Sequence, residues 1–230
     1  MAVSGSILGN PVARVEDPRI LRGEAKYFDD FAPAGTAHLA FVRSTIAHAR
    51  VTSIETGDAE AMPGVIAVHT SQTLKLDPVQ GFVMLPPVFS RPALADGTVR
   101  FVGDVVAVVV AETRAQAVDA AELVVVDYEP LPTVLDAEAA LEDGAPLLFP
   151  DHGSNLAIEF NFGDDPTVLD GADVVVQGRF VNQRVAPLPM EPNGILVEPH
   201  EDGSVFVTVP TQSPFGVRDP LAGALGLEPD

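Results

Sequence analysis

The side chains able to do chemistry in this 230-residue chain are few and scattered. Cysteine is absent, which removes disulfides, thiolate metal sites, thiol nucleophiles and any iron-sulfur cluster held by the chain itself. Any redox chemistry must therefore use a cofactor that is not held through thiolates. His38, His48 and His69 lie in or beside short apolar segments, with no second histidine or carboxylate at ligand spacing on the same element, and are read as structural. Asp164, Asp165, Asp170 and Asp173 invite a calcium reading, but they lack the Asp-x-Asp-x-Asp-Gly order and closing Glu of a binding loop, so turn and cap duty is expected. Gln212 lies between Thr211 and Ser213-Pro214. By residue type alone it is a polar glutamine at a strand end, satisfying nearby backbone. The chain has no G-x-S-x-G, phosphate-binding loop, GxGxxG after a strand or HExxH.

Net charge is −20, from 33 acidic against 13 basic residues, which repels phosphate backbones and anionic membranes and makes nucleic acid an unexpected partner. The composition, 47% hydrophobic and 20% charged, fits a globular protein rather than a disordered one. Apolar runs are too short to span a bilayer, and the N-terminus lacks a basic region followed by a long apolar core. A cytoplasmic location is expected, with no membrane partner.

The elements that must position any site are clearest between Val99 and Leu141. Val105 to Val110 is an unbroken, mostly β-branched run, as expected of a strand buried on both faces. Thr113 then opens a helix, with Gln116 three residues on reaching back to the Thr113 backbone N–H in a capping box. Ala117, Val118, Ala121 and Leu123 are expected to form its apolar stripe. A second strand covers Val124 to Tyr128, ended by Pro130 and Pro132. Strand, helix and strand with short connections imply an αβ layer domain.

Before this stretch, the mixed-charge block Glu16 to Gly23 reads as an extended arm whose arginines either pair with a neighbour's carboxylates or stay exposed. Strands are expected around Ala37 to Arg43, with Leu39 and Phe41 alternating, and at Val51 to Ile54, as a hairpin-like or crossed pair. A helical turn at Asp58 to Met62 and a strand at Val65 to Val68 follow. Residues 71–98 form a long proline-bearing loop, either an interface or an insertion packed by Phe82, Val83, Leu85 and Phe89. After a short helix at Ala137 to Leu141, residues 144–155 have the composition of a linker. Beyond it come expected strands at Leu156 to Phe160 and Val174 to Val181, with a turn at Asp164-Asp165-Pro166 between them. A hairpin then joins Ile195 to Glu198 with Val205 to Val209 across Asp202-Gly203, and a final helix runs to Ala224, ended by Gly226. Pro220 is either near that helix's start or a break within it.

Several idiosyncratic strings occur in order: EDPRILRGEAKYFDD (16–30), AFVRSTIAHARV (40–51), RFVGDVVAVVVAETRAQAVDAAELVVVDYEPLP (100–132), GRFVNQRVAPLPMEPNG (178–194) and TQSP (211–214). Together they resemble the molybdopterin-binding large subunit of the xanthine dehydrogenase and aerobic carbon monoxide dehydrogenase family, the molybdenum hydroxylases. The resemblance covers essentially the whole chain and implies an α+β fold, an αβ hammerhead domain followed by the start of a mixed αβ molybdopterin-binding domain. The expected division is an N-terminal arm at 1–19, the hammerhead at 20–143, a linker at 144–155 and the start of the molybdopterin-binding domain at 156–230.

The resemblance implies hydroxylation or oxidation of a small substrate at a molybdenum-pterin centre, in its cytosine dinucleotide form, with water as the oxygen source. It also implies electron transfer to iron-sulfur clusters and FAD on separate partner subunits, in a dimer of heterotrimers, and a remaining portion of the large subunit as a further partner. Gln212 matches the family glutamine that hydrogen-bonds an oxo ligand of molybdenum. Met190-Glu191-Pro192 matches a string near that domain's core, where Glu191 is read as a buried, paired structural carboxylate rather than a base. No catalytic residue or direct metal ligand is assigned. Thr45-Ile46 stands where the family tends to have Pro-His, and Pro220 lies inside an expected helix. The family's glycine-rich string that packs on the pterin would begin past Asp230, as would the substrate-facing loop and a glutamate base, so the chain alone is expected to be inactive. The alternative from another class is a non-catalytic docking module for the partner subunits; a calcium-stabilised acidic β protein is a third.

Overall fold

The computed structural model describes residues 11–31, 33–81, 83, 85–160, 163, 165, 167–189 and 191–229. Along the chain run helix α1 (Asp17–Leu21), strands β1 (His38–Arg43) and β2 (Ala49–Glu55), the one-turn helix α2 (Gly57–Glu60), and strands β3 (Val65–Thr70), β4 (Thr98–Val99) and β5 (Val105–Ala111). Helix α3 (Arg114–Glu122), strands β6 (Val125–Pro130), β7 (Leu196–Pro199) and β8 (Val205–Thr208) and helix α4 (Pro214–Leu225) follow. The chain divides into two compact units, one of residues up to Ala34 with Asn182–Val217, the other of Gly35–Val181 with Arg218–Asp230.

The second unit holds two antiparallel three-stranded sheets, ordered β1-β5-β3 and β4-β2-β6. The β-branched run at Val105–Ala111 sits between two strands because it is buried on both faces: Ala107 and Val109 face one apolar cluster with Val68 and Ala120, while Val106 faces another with Ala49, Ala95 and Val99. Val108 stands opposite Phe41 in one ladder and His69 in the other. β1 and β2 are a crossed pair rather than a hairpin, since each enters a different sheet. β5 and β6 likewise lie in different sheets, so the strand-helix-strand stretch links the two layers.

The α3 cap forms as a local exchange. Thr113 Oγ1 accepts the Gln116 N–H at 3.3 Å and donates to the Gln116 side-chain oxygen at 2.8 Å; the expected return bond to the Thr113 backbone is replaced by this side-chain bond. The expected stripe is corrected too. Val118 and Leu123 are 45% and 41% exposed, whereas Ala117 and Ala120 are fully buried, with Ala121 and Val124 against the same cluster. Ala117, Ala120 and Ala121 are spaced i, i+3, i+4, so the helix presents its smallest side chains to the sheet and packs close. β6 runs on to Pro130, opposite Ala49. An edge strand tolerates a missing N–H at that position.

Side chains tie together described residues of 71–98 and of 144–155. The Phe89 ring meets Phe149 edge-on at 4.8 Å and His152 at 4.7 Å, and Arg100 stacks on Phe149 at 4.7 Å. Asn155 donates to the carbonyls of Ala140 and Pro146 and accepts the Leu148 N–H, closing the stretch into a compact turn. Phe82, one of the residues expected to pack the long loop, lies outside the described residues, as do Asp164, Pro166 and Met190.

Two expected strands do not form. Leu156 to Phe160 and Val174 to Val181 lie in no ladder, although both have strand-forming composition. A strand is completed only by a neighbouring strand's donors and acceptors, and neither segment is paired into a ladder among the described residues.

Candidate functional site

The first unit is built on the β7–β8 hairpin, where Leu196 pairs with Thr208 and Pro199 with Val205. Its turn is held by Asp202, whose carboxylate accepts the Ser204 hydroxyl at 2.7 Å and the Ser204 N–H at 2.9 Å. These bonds, the hydroxyl's first, hold the Asp202 carboxyl below the usual aspartate range. Gly203, at φ +87°, supplies the left-handed residue the turn needs.

The stretch between the arm and the hammerhead strands docks in the same unit, and the arm's arginines take no part in it. Arg14 pairs with Asp17 at 3.6 Å and Arg22 with Glu24 at 2.8 Å, both local and exposed. The docking contact is Phe28: its backbone N–H donates to Glu191 Oε1 at 2.9 Å, and its ring lies against Gly194 so closely that a Cβ there would overlap it. Asp30 supports this turn by accepting the Tyr27 N–H at 2.9 Å. Glu191 is half-buried rather than buried, and its partner is a backbone amide rather than a cation. Phe28 and Gly194 were invisible to sequence reading because their pairing has no local spacing.

β8 leads through Thr211 to Gln212 at a bend, and α4 begins directly after it. Thr211 Oγ1 accepts the Ser213 N–H at 3.1 Å, and the Ser213 carbonyl accepts the Val217 N–H at 3.1 Å, opening the helix with Pro214 at its first position. Gly216 lets the Ser213 hydroxyl approach this first turn, since a Cβ there would sit 2.5 Å from Oγ. At its other end the Gly226 N–H bonds to Gly223 O and the Leu227 N–H to Ala222 O, a Schellman closure around Gly226 at φ +66°. Pro220 is accommodated inside the helix.

Gln212 is thus held at both sides while its own side chain is exposed and, among the described residues, makes no hydrogen bond. It does not satisfy nearby backbone. What it offers is an amide with a free donor pair and acceptor, positioned by the bend. The histidines lie elsewhere: His48 is buried and its Nδ1 donates to Pro132 O at 2.7 Å, and His69 faces Thr73. Asp165 caps a turn by accepting from the Thr167 hydroxyl and N–H. Among the described residues no group of three or more His, Cys, Asp or Glu side chains is arranged to hold a metal ion.

Comparison with known proteins adds the family. Residues 22–132 match the a/b hammerhead domain of aldehyde oxidase and xanthine dehydrogenase, and residues 148–230 match the molybdopterin cofactor-binding domain. The chain is 39% identical over 204 residues to the gamma subunit of the 6-hydroxypseudooxynicotine dehydrogenase complex of Paenarthrobacter nicotinovorans, covering 84% of this chain and 25% of that protein. It is 42% identical over 197 residues to the carbon monoxide dehydrogenase large chain of Afipia carboxidovorans, covering 77% and 24%. Among solved structures, reconstituted carbon monoxide dehydrogenase from Oligotropha carboxidovorans superposes with a TM-score of 0.85 at 34% identity, covering 96% of this chain and 29% of that one. The chain therefore spans about a quarter of the length of these curated relatives. With a hammerhead domain followed by a molybdopterin-binding domain, it belongs to the molybdenum hydroxylase family of xanthine dehydrogenase, aldehyde oxidoreductase and carbon monoxide dehydrogenase large subunits.

Proposed function

We propose that this chain works as part of the molybdenum-pterin large subunit of a hydroxylase that oxidises or hydroxylates a small substrate. The molybdenum-pterin group, in its cytosine dinucleotide form, would supply the two-electron redox chemistry, with water as the oxygen source. Electrons would pass to iron-sulfur clusters and FAD on two partner subunits, within a cytoplasmic dimer of heterotrimers. The proposed division is an arm at 1–19, the hammerhead at 20–143, a linker at 144–155 and the start of the cofactor domain at 156–230.

The observation that carries this reading is Gln212. Its amide is exposed and, among the described residues, makes no hydrogen bond, yet it is held on a capped bend inside the stretch that matches the cofactor-binding domain. That leaves the amide available for hydrogen bonding to a bound group, which supports the reading. Gln212 would orient it by donating from Nε2 and would leave ligation to other atoms. Glu191 is engaged by the Phe28 N–H and would act on structure rather than as a base. The relatives are named for substrates as different as 6-hydroxypseudooxynicotine and carbon monoxide, so the reading stops at the reaction class.

The chain alone would not turn over, because it spans about a quarter of the relatives that carry the activity. The test is to isolate the native polypeptide from its source cells, with its co-purifying subunits, and to measure its intact mass and molybdenum content. A mass several-fold above 24.1 kDa with stoichiometric molybdenum supports the reading. Partners without molybdenum would turn it toward a docking module.

A further inference from the structure

Val174 to Val181 has the composition of a strand. Val174, Val175, Val176 and Val181 are β-branched and Phe180 is aromatic, the composition that favours a pleated, half-buried segment. The segment is nevertheless outside every ladder, and among the described residues none of its backbone N–H or C=O groups has a partner. Val174, Val176 and Phe180 are 79%, 87% and 93% exposed. Large side chains and unpaired backbone left in water together describe a strand without its neighbour.

The two faces of that strand are not equivalent. With a period of two, Val174, Val176, Gly178 and Phe180 share one face, and Val175, Gln177, Arg179 and Val181 the other. The first face is wholly apolar. The second is mixed, and its Arg179 is tied to Glu138 by a 2.8 Å ion pair. We infer that residues 173–181 form a β-strand completed by the remainder of the large subunit, the Val174, Val176 and Phe180 face turning into its core and the Gln177 and Arg179 face staying wet. The occupant follows from length, since about three quarters of each relative's chain lies outside the part this chain spans. This rests on the reading that the chain works inside such a subunit.

The test uses the native large subunit, isolated as above. Hydrogen exchange read by mass spectrometry on peptides covering 173–181 is expected to be at least about 100-fold slower than for the same unstructured sequence, because ladder N–H groups open only with the structure around them. Exchange at the unstructured rate overturns the inference. Protection that grows with protein concentration also overturns it, since the neighbour would then be a second copy. In the full subunit V176D is expected to abolish this protection while Q177E leaves it intact; equal effects would refute the assignment of faces. Molybdenum measured in the same sample separates the two proposals: a protected strand without molybdenum removes the proposed function alone, and an unprotected strand with molybdenum removes this inference alone.

Discussion

The backbone N–H of Phe28 donates to the carboxylate of Glu191 at 2.9 Å, across a separation of 163 residues. This charge-assisted bond ties the turn at Phe28 to the segment entering the β7–β8 hairpin, and the Phe28 ring covers Gly194 beside it. Removing the acceptor leaves a half-buried donor unpaired, at a cost of about 1–3 kcal/mol. Glu191→Ala is therefore expected to lower the urea midpoint of the chain and to expose the stretch around Phe28 to protease. Glu191→Gln retains an acceptor and should lose less. An unchanged midpoint and cleavage pattern for Glu191→Ala would show that the Phe28 turn is held by something else.

The Asp202 turn carries a pH signature. Ser204 donates two hydrogen bonds to the carboxylate and lowers its pKa in the folded hairpin. The stabilisation is thus fully present above the unfolded aspartate pKa and is lost as pH falls through the lower, folded value. Carboxyl-carbon NMR should place the Asp202 titration below that of ordinary aspartates, and Ser204→Ala should move it back up. If Ser204→Ala leaves the titration where it was, the hydroxyl bond is not its cause.

The central αβ stretch was legible because its signals are local. A β-branched run, a Thr113 cap and a proline-bounded strand each depend on residues a few positions apart, and each forms within one or two residues of its expected bounds. The α3 stripe was misjudged at Val118 and Leu123 because packing distance, which selects alanines, is a property of the sheet beneath. Leu156 to Phe160 and Val174 to Val181 failed for a stronger reason: composition reports willingness to pair, while pairing needs a partner. Gln212 stood out only through the strings around it, since an exposed glutamine has no pattern of its own. The Phe28–Glu191 bond had no sequence signal.

Close packing of α3 makes a direct prediction. Ala120 is fully buried against Val68, Ala107 and Val109, with no room for a longer side chain. Ala120→Leu should destabilise the chain by about 1–3 kcal/mol through overpacking, whereas Val118→Ala, on the half-exposed side, should change stability by about 0.5 kcal/mol or less. Thermal melts of the two variants decide it. A larger loss for Val118→Ala would restore the stripe expected from periodicity.

Gln212 separates stability from function. Its side chain is exposed and makes no hydrogen bond among the described residues, so truncation removes nothing that holds the fold. Gln212→Ala should leave the melting temperature of the chain within error. In the complete subunit assembly the same change should lower turnover by about 10–100-fold, the usual penalty for losing a hydrogen bond that orients a bound metal centre. Gln212→Glu is the sharper variant: it keeps the length but exchanges the donor for a charge, and should depress activity at least as far at neutral pH. Steady-state kinetics beside molybdenum content give the readout. Full activity in both variants with molybdenum retained would mean that the exposed amide is a surface residue, and the proposed contact with the cofactor would fall.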